Sequence, residues 1–272
     1  MNQISLKAPA KINLSLYITG RRADGYHELK SVMQQISLCD ELTLTKREEG
    51  ILLNVESDGT PGSGHEKVPS DGKNIAYRAA ELFFRESGIA GGAEIKLIKH
   101  IPAAAGLAGG STDAAAVLKG LAQLYESGHD TEALCSMGVK LGADVPFCIL
   151  GGRALCEGIG DKLTPLTAEE LHILLIKPPI EVSTKEVYEA FDALPPEALS
   201  GTENSLALVT EKKYPVIAGI REDMSEQGAY KALMSGSGPT VFGLFKDAEA
   251  AGAACRELSK KYSDCFTGVY GI

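Results

Sequence analysis

The strongest chemical signal in the sequence is the run Pro102-Ala103-Ala104-Ala105-Gly106-Leu107-Ala108-Gly109-Gly110-Ser111-Thr112-Asp113. Small side chains let a backbone approach an anion closely, and glycines permit conformations that turn several N–H groups inward. The run is followed by an amphipathic pattern, Ala114, Val117, Leu118, Leu121 and Leu124, that predicts a helix from about Ser111 to Tyr125. The free N–H groups and dipole at such a helix start favour a phosphate. Rival phosphate and acyl-transfer loops do not fit: there is no GxxxxGK[ST], no GxGxxG, and neither Ser111 nor Ser237 stands in a GxSxG. Ser111 and Thr112 are open to two readings, as hydroxyl ligands of a Mg²⁺ that bridges phosphates or as plain helix caps.

Other elements must hold this loop. Lys11 to Thr19 reads as a strand with Ile12, Leu14, Leu16 and Ile18 on one face and Lys11, Asn13, Ser15 and Tyr17 on the other. Strands are expected at Ile36 to Thr45, Ile51 to Val55 and Ala93 to Ile101. A helix should run from an Asn74 cap to about Ser87, with Gly88 just past its end. Thr131 to Leu141 reads as a helix stopped at Gly142, and Phe147 to Leu150 and Arg153 to Cys156 as short strands around Gly151-Gly152. Asp144 precedes Val145-Pro146, where an extended chain is expected before the proline. After a strand at Leu171 to Ile176, a Ser183-x-x-Glu186 capping box opens a helix. A helix after Pro215 and a strand, glycine turn, strand, helix, strand series complete the chain. Ser57 to Asp71 and Leu194 to Thr202 are the linker-like stretches. Clustered strands and helices make this an α+β pattern, with a boundary expected near residues 155 to 165.

Bulk properties narrow the function. With 272 residues, 44% apolar and 23% charged, the chain fits one large domain or two that share a cleft. A formal net charge of −9 argues against a nucleic-acid partner, which needs a basic surface. No run of about eighteen apolar residues predicts a membrane span, and the start of the chain lacks a signal-peptide pattern, so the cytoplasm is expected. Six scattered cysteines without a CxxC pair read as reduced, mostly buried thiols, and five histidines without HExxH spacing argue against zinc.

With these elements placed, the chain resembles the GHMP kinase superfamily, which includes galactokinase and homoserine, mevalonate and phosphomevalonate kinases. Three motifs carry the resemblance in order: Ala8-Pro9-Ala10-Lys11-Ile12-Asn13-Leu14, the loop at 102–112, and Ser235-Gly236-Ser237-Gly238-Pro239-Thr240. Arg21-Arg22-Ala23-Asp24-Gly25-Tyr26-His27-Glu28-Leu29 and Leu141-Gly142-Ala143-Asp144-Val145-Pro146-Phe147 resemble one branch in particular. Its alcohol substrate carries a cytidine diphosphate and belongs to the non-mevalonate isoprenoid route. The loop has Ala103 to Ala105 and Ala108 where some relatives have glycine.

The resemblance implies a two-domain fold with the active site in the cleft between domains. Residues 1–160 would form an ATP-binding domain like ribosomal protein S5 domain 2, and residues 161–272 a ferredoxin-like α/β sandwich. It implies ATP as co-substrate with Mg²⁺, phosphates on Pro102 to Thr112, and transfer to the substrate's 2-hydroxyl. Read without it, Asp144 is a turn aspartate and Lys11 a strand lysine. The resemblance makes Asp144 the catalytic carboxylate that orients the hydroxyl and accepts its proton late, with Lys11 as its charge partner. It assigns Asn13 and Thr184 to substrate polar groups, Lys99 to the substrate diphosphate, and Tyr26, His27 and Tyr188 to the base. Tyr188 also reads as an ordinary core aromatic, and the 235–240 turn as a plain hairpin turn that should pack beside the phosphate loop. A small-molecule substrate, no nucleic acid, no membrane and a monomer or weak homodimer are expected. The alternatives are another GHMP kinase, whose substrate would carry no base, and a sensor that binds without turnover.

Overall fold

The computed structural model describes residues 1–57, 59–60, 63, 68–195 and 202–272. Parts of both linker-like stretches, residues 58, 61–62, 64–67 and 196–201, lie outside the described residues.

In chain order the elements are β1 (Gln3–Arg21), β2 (His27–Arg47), β3 (Gly50–Ser57), α1 (Ile75–Ser87), β4 (Gly92–Lys99), α2 (Gly109–Leu124), α3 (Thr131–Gly138), α4 (Val145–Leu150), β5 (Arg153–Glu157), β6 (Lys162–Leu166), β7 (His172–Lys177), α5 (Thr184–Asp192), α6 (Ala207–Lys213), α7 (Pro215–Glu226), β8 (Lys231–Met234), β9 (Val241–Phe245), α8 (Ala248–Lys261) and β10 (Phe266–Tyr270). They build two sheets, β3-β4-β2-β5-β6 with β1 paired to β2, and β10-β7-β9-β8. β1 and β2 form one long hairpin, from Gln3↔Thr45 to Arg21↔His27, interrupted by three register shifts. The other edge of β2 is shared by β4 at Glu41–Arg47 and β5 at Ser31–Gln34.

β1 crosses the whole molecule. Ala8 packs with α1 to α4 in one core, and Leu16 joins a second core under α5 to α8. Between them Ile12 and Leu14 meet Ile173, Leu175, Phe242 and Leu244 in a third cluster that ties the sheets together. The strand pleat sorts these residues: along β7, Ile173 and Leu175 face the joining cluster, whereas Leu174 and Ile176 face the second core. Lys11 and Asn13, on the opposite pleat from Ile12 and Leu14, open into the cleft. Their apolar neighbours thus fix the polar face without using any of its groups.

Several elements depart from the sequence reading. β1 and β2 extend well beyond 11–19 and 36–45, because along their shared ladder backbone groups are satisfied by the partner strand whatever the side chain. Phe147 to Leu150 is not a strand: it lies in α4, with proline in the first turn, where it lacks only an N–H that the helix would not use. Val145 is therefore helical rather than extended. α3 ends at Gly138, and turns carry the chain to Asp144. β6 and α6 have no counterpart in the reading. β6 pairs with β5, so a boundary at 160/161 would cut a hairpin, and the sheets part between Leu166 and His172.

Candidate active site

The cleft between the sheets has a volume of about 1110 Å³. That is above the roughly 1,000 Å³ upper end for single-ligand pockets, so two ligands have room side by side. Its lining comes from the small-residue loop with the start of α2, from β1 and the β1–β2 turn, and from α5 and the turn after β8.

The loop leaves β4 and turns through three left-handed residues, Ala104 (φ 48°), Gly106 (φ 75°) and Ala108 (φ 58°). α2 then starts at Gly109, two residues before the expected Ser111, and no side chain caps it. The glycine pair is helical, and its lack of side chains serves packing. A Cβ on Gly109 would lie 3.1 Å from Ile101 Cγ2 and 3.4 Å from Lys99 Nζ, and one on Gly110 3.2 Å from Ile75. Uncapped first-turn N–H groups beside two side-chain-free residues can serve as an anion seat. Ser111 lines this seat, whereas Thr112 is buried behind it against the Cys148 thiol. Neither acts as the helix cap, a position held by Ala108. Since an alanine in the left-handed region costs about 1–2 kcal/mol, Ala108→Gly should raise Tm by a few degrees in calorimetry. An unchanged or lower Tm would mean that the site tolerates this backbone without cost.

Two other segments brace the loop. The Lys11 N–H donates to Leu107 O at 3.1 Å, so the loop hangs directly on the strand that carries Lys11. From the turn after β8, Ser235 Oγ donates to Gly106 O at 2.9 Å, and the Asn13 N–H reaches the same Oγ at 3.4 Å. The three sequence motifs therefore meet at residues 11–13, 105–107 and 235–240.

In the same cleft, Lys11 Nζ stands 3.5 Å from Asp144 Oδ2, the lysine buried and the carboxylate one-third exposed. Lys11 also donates to Asn13 Oδ1 at 2.7 Å, and Asn13 Nδ2 donates to Ser31 Oγ at 2.8 Å. Ser31 in turn donates to Ser15 O. This chain fixes the asparagine amide and aims the ammonium at Asp144. Asp144 directly precedes α4, and its side chain caps nothing, so one oxygen pairs with Lys11 while the carboxylate remains partly exposed in the cleft. A carboxylate beside an ammonium, in a cleft with an anion seat, can orient a hydroxyl and neutralise charge that develops on it.

Lys99 sits deeper than expected. Its ammonium is held by Asp40 and, at 2.7 Å, by Asp113, all three buried beneath the start of α2. Burial pulls the lysine down, but the two carboxylates outweigh it and hold it above its ordinary value. Asp113 is pushed well up, first by burial, because one lysine serves two carboxylates and Asp40 has the better set of donors, including two backbone N–H groups. Lys99 borders the cleft on the loop side, with its charge already engaged.

The aromatic end is assembled across lobes. Tyr26, in the β1–β2 turn, is exposed, and His27 stacks on Tyr188 of α5 with ring centroids 4.7 Å apart. Burial and, secondarily, the Asp144 carboxylate raise the Tyr188 phenol to about 12, so it remains a neutral ring. Thr184 Oγ1 lies 2.9 Å from Ser237 Oγ, which ties α5 to the third motif. The sequence reading did not single out Arg21, Ser31, Lys73, Asn74, Asp192 or Ser235 as site residues. Arg21, Lys73, Asn74 and Asp192 line the cleft, and Ser31 and Ser235 stand behind it.

Comparison with known proteins adds to this geometry. The family described as GHMP kinases N terminal domain matches residues 74–152, and GHMP kinases C terminal matches 189–264. A protein of Clostridium beijerinckii (strain ATCC 51743 / NCIMB 8052) named 4-diphosphocytidyl-2-C-methyl-D-erythritol kinase is 45% identical, over 97% of this chain and 98% of its own. One of the same name from Alkaliphilus metalliredigens (strain QYMF) is 43% identical, over 96% and 94%. The crystal structure of a 4-(cytidine 5'-diphospho)-2C-methyl-D-erythritol kinase matches with TM-score 0.78 at 34% identity, over 99% of this chain and all of that one. Mevalonate kinase from L. major in complex with R-mevalonate matches with TM-score 0.73 at 17% identity, over 100% and 97%, a likeness of fold alone.

Proposed function

The chain belongs to the GHMP kinase family, and from that premise we propose that it moves the terminal phosphoryl group of ATP to the 2-hydroxyl of 4-diphosphocytidyl-2-C-methyl-D-erythritol. The observation that carries this reading is the Lys11–Asp144 pair at 3.5 Å, in a cleft that the uncapped start of α2 also lines. Phosphoryl transfer has a loose transition state, so alignment and charge neutralisation supply most of the rate. The α2 amides and residues 102–112 hold the triphosphate. Asp144 hydrogen-bonds the 2-hydroxyl, keeps it in line, and accepts its proton as the new P–O bond closes. Lys11 keeps Asp144 ionised and offsets charge on the oxygens in flight.

Tyr26, His27 and Tyr188 together receive the cytosine, and Asn13 and Thr184 face the polar linker. Mg²⁺ takes hard oxygen ligands and leaves much of its shell to phosphates and water. The Ser111 hydroxyl, which lines the cleft, fits that habit, whereas Thr112 is turned away. When bound, the ion would neutralise phosphate charge. On this reading the enzyme works in the cytoplasm on a small molecule.

The test is a substrate panel with ADP formation as readout and phosphorus NMR of the product. The diphosphocytidyl alcohol should give a new phosphomonoester beside an intact diphosphate. Comparable turnover of homoserine or phosphomevalonate would overturn the assignment, since neither carries a base for Tyr26 and Tyr188 to hold.

A further inference from the structure

Asp192 is the last residue of α5, in the C-terminal half of the chain, yet its carboxylate is bound to two residues of the N-terminal hairpin. His27 Nε2 lies 2.6 Å from Oδ1, and Arg21 Nη1 lies 3.0 Å from Oδ2. Arg21 and His27 are themselves a cross-strand pair, the last of the β1–β2 ladder. One carboxylate therefore grips both feet of the five-residue turn that presents Tyr26. Tyr188 precedes Asp192 by one helical turn, so the two share a face of α5, and that face lies against His27: the tyrosine stacks on its ring while the aspartate binds its edge. Phe191 meets the same ring edge-on at 6.4 Å.

We propose that Asp192 is a positioning residue that clamps α5 to the β1–β2 turn and so fixes where Tyr26 and His27 stand relative to Tyr188 in the cleft. The inference rests on the reading that this aromatic end of the cleft takes the cytosine ring. The partners of Asp192 are His27 and Arg21 and not the 102–112 loop or the Lys11–Asp144 pair, so its effect falls on capture of the nucleotide-bearing alcohol and not on the transfer step. The two contacts are unequal. The His27 side chain is 9% exposed and the Arg21 side chain 60%, so the histidine bond is the firmer and the arginine adds a screened, exposed pair. Aromatic stacking depends steeply on ring separation, so a clamp of a few side-chain bonds controls it. His27 is positioned from both sides, by the Tyr188 face and by the Asp192 carboxylate.

Steady-state kinetics of the full chain with ATP and the diphosphocytidyl alcohol tests this. Asp192→Ala should raise the KM of the alcohol about tenfold, leave the KM of ATP unchanged and keep kcat within about twofold. Arg21→Ala should raise it only about twofold, and Asp192→Glu should recover part of the loss. If Asp192→Ala does not fold, Asp192→Asn, which keeps the shape and loses the charge, serves in its place. Unchanged KM for the alcohol, or equal rises for alcohol and ATP, would overturn the clamp. Calorimetric titration with cytidine 5'-diphosphate separates this from the functional reading. Wild-type protein that turns over no diphosphocytidyl alcohol refutes the reading. Binding of the cytidine probe to wild type and Asp192→Ala with equal affinity, or to neither, refutes the clamp.

Discussion

Asp144→Asn should lower kcat by about 10²–10⁴-fold, the usual contribution of a positioned acid or base, while the fold and the KM of ATP should stay near wild type. The substitution keeps the size of the side chain and one hydrogen-bond acceptor, but an amide cannot take up the alcohol proton. The native side chain caps no helix and is one-third exposed, and its partner is 3.5 Å away, so little stability depends on it. A partly exposed pair of that kind contributes about 0–1 kcal/mol, within a few degrees of Tm. Lys11 keeps its 2.7 Å bond to Asn13 Oδ1 and is not left without a partner. The loss should therefore appear in kcat, with the anion seat at residues 102–112 intact. Coupled ADP assays at saturating ATP, with calorimetry of the same sample, measure both. A folded Asp144→Asn protein that keeps more than a tenth of wild-type turnover removes Asp144 from the chemistry.

How far the sequence discloses this site depends on how local each cause is. α1 is legible to the residue because its ends are set by neighbours: Asn74 Oδ1 accepts from the Ala76 N–H, and Gly88 takes the left-handed turn at φ 67°. The Ser183 cap of α5 is equally local. α4 misleads because a six-residue apolar run has no period long enough to tell helix from strand, and its proline reads as a breaker unless its place in the first turn is known. The start of α2 is misplaced for a related reason. Intrinsic propensity counts against two glycines in a helix, and only the approach of Ile101 and Ile75 explains them. Lys11 and Asp144 stand 133 residues apart in the sequence, and nothing in their own surroundings distinguishes them from solvated strand and turn residues. Family resemblance singled them out, and the fold puts them 3.5 Å apart. Asp192 had no such motif. Its meaning lies in partners 165 and 171 positions earlier, which periodicity and local propensity cannot register. Lys99 shows the converse: the sequence marks a lysine near the loop, but only burial beside Asp40 and Asp113 reveals that its charge is already committed.

Gly106→Ala should be the most damaging single methyl group in the loop, for reasons that can be separated. Gly106 has φ 75°, a region that costs an alanine about 1–2 kcal/mol. In addition, a Cβ there would stand 2.3 Å from Ser235 O and 3.0 Å from Gly238 O. Both are backbone atoms of the third motif, so no side-chain rotation relieves the clash. Overpacking of this kind costs about 1–3 kcal/mol more, and the Ser235 Oγ to Gly106 O bond is strained as the segments part. Together these predict a Tm lower by roughly 5–15 °C and a raised KM for ATP, because Leu107 and the start of α2 follow directly. Gly88→Ala is the matched control: its φ is 67°, but a Cβ there meets nothing within 4 Å, so it incurs the backbone strain alone. The difference in Tm between the two variants measures what close approach of the second and third motifs contributes. If Gly106→Ala is no worse than Gly88→Ala and binds ATP normally, the turn at 235–240 does not shape the phosphate loop, and its contacts with residues 105–107 are incidental to the chemistry.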